Sequence, residues 1–138
     1  PTDPGLGYFD RFFRRRQCSR CFQDNQIMIA GALSGVCEAL AYAKAEGLDR
    51  STLVNALSSG AAGSKQLDFQ GHKILDGDFA PGFFMKHFIK DMRLAEEEAN
   101  HSGLDLNVLR QTLENCRALE QQGCGDLGTQ ALIKFYEK

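Results

Sequence analysis

Residues 27–43 form the most apolar run of the chain, and this run constrains the fold more than any other segment. It is 17 residues long and contains Glu38, so it is short and charged for a membrane span. Small residues such as Gly31 and Gly35 allow another backbone to approach it closely. We therefore predict a long buried helix over residues 25–46, around which the other segments pack.

Turn-forming residues divide the remaining sequence into shorter helices. Asp24 or Asn25 is the predicted N-cap of the long helix, Gly47 its end, and Asp49 the cap of the next helix. Further helices are predicted over residues 51–57, 65–74, 83–101 and 104–121, with a last one that is capped by Asp126 and reaches residue 135. No segment shows the two-residue alternation of a strand. The predicted fold is an all-α helical bundle around one long N-terminal helix.

Composition excludes several classes of function. A chain of 138 residues with 43% hydrophobic residues has the size and balance of one globular domain. Its net charge of −2 gives no electrostatic footprint for nucleic acid, and the arginines at 14–16 are too few to supply one. We expect neither a nucleic-acid partner nor a membrane partner.

Cysteine usage predicts a reducing compartment. Five cysteines are an odd number, which disfavours a complete disulfide framework, and the chain opens at Pro1 without a signal-peptide pattern. We therefore expect a cytoplasmic location. Cys18 and Cys21 have the spacing of half a zinc knuckle or a redox pair, but no second pair follows, so no metal site is predicted.

Residues 1–24 differ in composition from the rest of the chain. They hold five of the nine arginines and no lysine, whereas residues 25–138 hold all seven lysines. We place a domain boundary here, between an atypical N-terminal segment and a helical domain that covers residues 25–138.

Two features are candidates for a binding site. Asn25 and Gln26 open the predicted long helix, where side-chain amides either bind a small polar ligand or cap the helix. Phe83 and Lys90 are seven residues apart, so on one helix they would share a face. An aromatic ring and an ammonium on one face either line a cofactor pocket or have ordinary structural roles. In the second case the ring packs in the core and the lysine extends to the surface.

An ordered set of short motifs resembles the C-terminal helical domain of the β-hydroxyacid dehydrogenases. That group includes 3-hydroxyisobutyrate dehydrogenase, tartronate semialdehyde reductase and, more distantly, 6-phosphogluconate dehydrogenase. The resemblance covers about 114 of 138 residues. The matching stretches, in chain order, are Asn25-Gln26, Glu38-Ala39, Gly47-Leu48-Asp49, Ala62-Gly63-Ser64, Leu67-Asp68, the run from Asp78 to Phe83, and Lys90-Asp91.

The resemblance implies an NAD(P)-dependent oxidoreductase acting on a small hydroxyacid. It implies that Asn25 and Gln26 contact the substrate, that Phe83 packs near the nicotinamide, and that Lys90 contacts the cofactor, with Asp91 orienting Lys90. The dinucleotide-binding Rossmann domain of the family is absent from this sequence. We therefore expect no tight binding of NAD or NADP by this chain alone, and we expect a homodimer or a higher homo-oligomer.

The sequence departs from the family at the position of its catalytic lysine. That lysine stands three residues before the Asn of the motif, where this chain has Phe22. A phenylalanine transfers no proton, so no catalytic residue is assigned and the chain alone is expected to be inactive.

Three explanations stay open for the departure at Phe22: a pseudoenzyme, a different N-terminus such as a linker remnant, or a frameshift. A shifted frame through residues 13–24 can encode a glycine-rich run ending in lysine. The alternative function is a non-catalytic helical module for oligomerisation or protein binding.

Overall fold

The computed structural model describes residues 19–137, and its longest helix forms the centre of the fold. This helix, α1 (Ser19–Ala45), buries a stripe of apolar side chains with helical spacing. The buried residues of the stripe include Ala30, Leu33, Cys37, Leu40 and Ala43. By length and composition α1 could cross a membrane, but 44% of its most apolar window is buried inside the fold. Packing in the core accounts for its apolar character.

Shorter helices pack around α1. They are α2 (Arg50–Ser58), α3 (His72–Asp76), α4 (Met85–His101), α5 (Asn107–Leu119) and α6 (Ile133–Tyr136). A π-helical turn (Leu67–Gly71) leads into α3, a second one (Glu120–Cys124) follows α5, and a 3₁₀ turn (Thr129–Leu132) leads into α6. Helices α4 and α5 pack against α1 and against each other. No strand occurs between residues 19 and 137, so the all-α prediction is confirmed for this range.

Several predicted helix boundaries are confirmed in atomic detail. Gly47 lies at φ 71°, a left-handed conformation that ends α1 in the predicted place. The Asp49 carboxylate accepts hydrogen bonds from the backbone N–H and the hydroxyl of Thr52. Ser64 Oγ accepts from the N–H of Leu67 at 3.0 Å and starts the helical segment that includes the first π-helical turn. Local capping chemistry therefore sets these boundaries.

The predicted start of the long helix is wrong. α1 already includes Ser19, so Asp24 and Asn25 lie inside the helix and do not cap it. The reason is that no proline or glycine separates Ser19 from Asn25, and single Asp or Asn residues cost a helix interior little. Asn25 therefore does not lie at the N-terminal end of α1, the position from which the sequence predicted its contact with a ligand.

Two other predicted starts are also wrong. Phe84 has extended backbone angles (φ −73°, ψ 137°), so α4 begins at Met85 and Phe83 precedes the helix. The seven-residue spacing therefore does not place Phe83 and Lys90 on one helix face. Asp126 caps no helix, because its carboxylate binds Lys86 Nζ at 2.7 Å and the last helical segment starts only at Thr129.

The loop that leads into α4 is held by the segment that follows the second π-helical turn. The buried Gln130 side chain donates to the carbonyl oxygens of Asp78 at 3.0 Å and Ala80 at 2.9 Å. The backbone N–H of Thr129 donates to the Phe83 carbonyl at 3.0 Å. A Cβ at Gly128 would collide with the side chain of the buried Gln130, so this close packing requires glycine. These contacts fix the position of Phe83.

Candidate functional site

A pocket of about 330 Å³ lies where three parts of the fold meet. One wall comes from α1, a second from the first π-helical turn and the residue before it, and a third from the loop and helix around Phe83. The residues that line it are Phe22, Asn25, Gln26, Ile29, Gln66, Gln70, Phe83, Phe88 and Thr129. None of these side chains carries a charge, so the pocket lining within the described residues is amide, hydroxyl and apolar.

Asn25 and Gln26 form one end of a hydrogen-bonded chain. Asn25 Nδ2 donates to Gln26 Oε1 at 2.9 Å, and Gln26 Nε2 donates to Asp91 Oδ2 at 3.1 Å. Gln26 is only 4% exposed, so the carboxylate of Asp91 satisfies an amide that solvent scarcely reaches. Asp91 on α4 thereby orients Gln26, and Gln26 orients Asn25.

The structure gives Asp91 a different partner from the one inferred from sequence. The family resemblance implies that Asp91 orients Lys90, whereas in the structure the Asp91 carboxylate accepts a hydrogen bond from Gln26 on α1. Adjacent residues on a helix point in different directions, and Lys90 is exposed on α4 and does not line the pocket. The contact of Lys90 with a cofactor stays a prediction.

Phe83 supplies an aromatic wall. Its ring packs edge-on against Phe88, with centroids 6.3 Å apart, and against His87 at 6.4 Å. Phe88 is fully buried, whereas Phe83 is 39% exposed. One edge of Phe83 is therefore anchored in the core while the rest of the ring stays accessible.

Phe22 occupies the pocket one helical turn before Asn25 and Gln26. It is 42% exposed and lines the cavity, so this position faces the site. The family resemblance places the catalytic lysine at this position, and a side chain here lines the same pocket as Asn25.

Sequence reasoning missed Gln66, Gln70 and Thr129. Gln66 and Gln70 are four residues apart in the predicted helix over 65–74, a spacing that is also typical of an exposed polar face. In the structure both line the pocket, and their Oε1 atoms are buried without a hydrogen-bond partner. The repeated glutamine was the only signal in the sequence.

The thiols of the core are unsuited to nucleophilic or metal chemistry. Burial raises the pKa of Cys116 to about 12, and burial together with the nearby Cys116 raises the pKa of Cys37 further. Between residues 19 and 137 no three His, Cys, Asp or Glu side chains are placed to hold a metal ion. Cys18 and the arginines at 14–16 lie outside the described residues, so the interpretation of the Cys18/Cys21 pair is not tested.

The described residues form an all-α bundle with an amide-lined pocket beside an aromatic wall. The family described as "NAD-binding of NADP-dependent 3-hydroxyisobutyrate dehydrogenase" matches residues 24–136. The chain belongs to this family of β-hydroxyacid dehydrogenases, whose members depend on NAD(P).

Individual relatives agree with this assignment. The chain is 44% identical over 114 residues to a probable 3-hydroxyisobutyrate dehydrogenase-like protein of Arabidopsis thaliana, and the match covers 83% of this chain and 34% of that protein. It is 31% identical over 117 residues to the 2-hydroxy-3-oxopropionate reductase of Escherichia coli, covering 85% of this chain and 40% of the reductase.

Solved structures share the fold. The Mycobacterium tuberculosis 3-hydroxyisobutyrate dehydrogenase, solved with L-serine, superposes with a TM-score of 0.77 at 18% identity, covering 86% of this chain and 43% of that chain. The chain thus spans between a third and about two fifths of the length of the relatives it matches.

Proposed function

We propose that this chain is the helical part of an NAD(P)-dependent β-hydroxyacid dehydrogenase, where it supplies the substrate-facing and nicotinamide-facing walls of the site. The observation that carries the proposal is the pocket that brings Asn25 and Gln26 from α1 together with Phe83, which is far away in sequence. Family membership supports the cofactor, and the names of the relatives support a small hydroxyacid or its semialdehyde as substrate.

The proposed roles follow from the chemistry of each side chain. Asn25, held by Gln26, hydrogen-bonds the substrate's carboxylate or hydroxyl, and Asp91 keeps both amides in place. The accessible ring of Phe83 fits the flat face of a nicotinamide and excludes water from it. Lys90 contacts the cofactor from α4. When bound, NAD(P) accepts or gives the hydride.

The pocket residues of this chain bind and orient but move no proton. Phe22 and the lining amides have no acidic or basic group to transfer a proton, so the proton is transferred by a group outside this pocket lining or the protein is a pseudoenzyme. We propose further that the protein forms a homo-oligomer and is cytoplasmic; the Arabidopsis relative is named as mitochondrial.

Cofactor binding by the full-length gene product tests the proposal. NADH and NADPH fluorescence titrations should show binding, and Phe83→Ala should raise the Kd several-fold because the ring contact is lost. Phe69→Ala is the matched control, since Phe69 is exposed and does not line the pocket. Equal effects of both variants, or no binding by the unaltered protein, would contradict the proposal.

The second candidate function is a non-catalytic helical module, and Phe22 in the pocket is the observation that favours it. Phe22→Lys separates the two functions, because a lysine here would reach the pocket beside Asn25. If the site is otherwise intact, the variant should raise kcat by roughly 10²-fold or more, the usual contribution of a positioned acid or base. If neither the unaltered protein nor the variant binds NAD or NADP, the result supports the non-catalytic helical module.

A further inference from the structure

We propose that Gln130 is a positioning residue for cofactor binding, because it holds the loop that carries Phe83 in place before a ligand arrives. This inference rests on the proposed function and adds a residue that does not itself line the pocket. Gln130 is only 1% exposed, so any effect on a ligand passes through the groups that Gln130 contacts. It lies in the 3₁₀ turn that leads into α6, more than 40 positions after the loop.

Three consecutive carbonyl oxygens of the loop are held by the segment around Gln130. Gln130 Nε2, which carries two hydrogens, donates to the carbonyl of Asp78 at 3.0 Å and to that of Ala80 at 2.9 Å. Between these two, the Phe79 carbonyl accepts from the backbone N–H of Gly128 at 2.9 Å. Hydrogen bonds to three successive carbonyls leave this backbone few alternative conformations. Residues 78–80 therefore form a fixed base for the residues that follow.

The step from this base to Phe83 is short and restricted. Only Pro81 and Gly82 lie between Ala80 and Phe83, and the proline ring fixes its own φ angle. The Phe83 carbonyl then accepts from the backbone N–H of Thr129 at 3.0 Å. The loop is thus held on both sides of the Pro-Gly step, which determines where the ring of Phe83 begins.

The side-chain contacts of Phe83 leave part of its ring free. The ring is 39% exposed and packs edge-on against Phe88 and His87. A ligand that packs on a mobile ring must supply the free energy of ordering it, which weakens binding. Because Gln130 fixes the loop in advance, the ligand meets a wall that is already in position.

A double-mutant cycle in the full-length protein tests this role by the Kd for NADH and NADPH. Gln130→Met should raise the Kd by roughly 3- to 10-fold, the effect expected when a loop side chain must be ordered on binding. In a Phe83→Ala background the same change should raise the Kd by less than about twofold, because the ring through which Gln130 acts is absent. A purely structural role of Gln130 would give no such dependence on Phe83.

Thr112→Val is the matched control for a general loss of stability. Thr112 is buried, shares a hydrogen bond with Ser34 in the core and does not line the pocket. The variant loses a buried hydrogen bond, but its Kd should stay within about twofold of that of the unaltered protein, since the two sites are separate. Each Kd is measured at a temperature at which circular dichroism shows the variant to be folded.

Hydrogen exchange gives a second readout that needs no variant and still applies if Gln130→Met does not fold. The backbone N–H groups of Gly128 and Thr129 donate to carbonyls of the loop. Both should be protected from exchange before cofactor is added and should gain little protection on binding. Protection that appears only with bound cofactor would show that the ligand orders the loop, which overturns the inference.

The binding data separate this inference from the proposed function. If Gln130→Met raises the Kd equally with and without the Phe83 ring, or if Thr112→Val raises it as much, the positioning role of Gln130 is overturned and the proposed function stands. Absence of cofactor binding by the unaltered protein overturns both.

Discussion

The core of the bundle and the wall of its pocket both contain buried polar side chains, but two glutamines of the pocket wall keep a side-chain oxygen without a partner. Ser34 on α1 and Thr112 on α5 share a hydrogen bond of 2.7 Å between their hydroxyls, and Thr112 also donates to the carbonyl of Val108. Gln130 uses its amide nitrogen to hold two loop carbonyls. These polar groups join helices and loops and therefore stabilise the fold.

Gln66 and Gln70 in the pocket wall keep oxygens without partners, although both atoms are shielded from solvent. Leaving such groups unpaired costs stability. The difference teaches that pairing, more than burial, separates a glutamine that holds the fold together from one that does not. The predictions below test that distinction.

The largest expected effect separates the two aromatic side chains that touch each other at the pocket. Phe88→Ala should lower the free energy of unfolding by about 3–5 kcal/mol, because the ring is fully buried and its removal leaves a cavity. Phe83→Ala should cost about 1 kcal/mol or less, since much of that ring is already exposed. Urea denaturation of both variants measures this. Similar losses would mean that Phe83 is a core residue and no ligand wall.

A matched glutamine pair gives the next largest effect. Gln130→Met should destabilise the fold by about 2 kcal/mol, because the carbonyls of Asp78 and Ala80 lose their donor. Gln70→Met removes an oxygen that has no partner, so its stability should change by less than about 0.5 kcal/mol or improve. Urea denaturation midpoints, compared at equal m-values, measure the stability of both variants. Equal destabilisation would mean that the paired Gln130 and the unpaired Gln70 do not differ in their contribution to the fold.

The sequence predicted the elements of the fold better than their ends. The apolar spacing in α1 and the local chemistry at Gly47 and Asp49 act within a few residues, so they can be recognised without knowledge of the fold. The start of α4 could not, because Phe84 is held extended beside Gly128 and the Phe83 carbonyl accepts from Thr129, more than 40 positions later. A tertiary contact there overrides the helical pattern.

The candidate site was recoverable only where a motif carries it. The Asn25-Gln26 pair and Phe83 were candidates by position and residue type, with a structural alternative left open, and the family resemblance then implied their roles; the structure brings them into one pocket. The bond from Gln26 to Asp91 joins two helices and has no signature in local sequence. Gln66 and Gln70 were missed for the same reason, since an amide pair on a helix gives no sign of which wall it will line.

A smaller effect is expected at the bond between Gln26 and Asp91, which belongs to the pocket and is nevertheless paired. Asp91→Ala should lower the free energy of unfolding by about 1 kcal/mol, because the buried Gln26 amide loses its acceptor. It should also raise the substrate KM in the full-length protein, as Asn25 loses its support. Asp68→Ala, at an exposed carboxylate, serves as the control. A loss of stability without any change in KM would make this bond purely structural, like those of the core.

The smallest effect concerns a paired polar group at the exposed surface, Asp49. Hydrogen bonds from Thr52 lower the pKa of the Asp49 carboxyl below its ordinary value of 3.8. A lowered pKa in the folded state means that the carboxylate stabilises the fold above about pH 4, and that this contribution is lost as the pH falls through the folded-state pKa. Asp49→Asn still caps α2 but does not titrate there. The Tm difference between wild type and Asp49→Asn should therefore be small and constant near neutral pH. Below pH 4 the Tm of the wild type should fall relative to that of the variant.

A Tm difference that stays constant down to pH 2 would show that the charge of the Asp49 cap does not contribute to stability. Pairing of a polar group at the surface would then stabilise the fold less than pairing in the core.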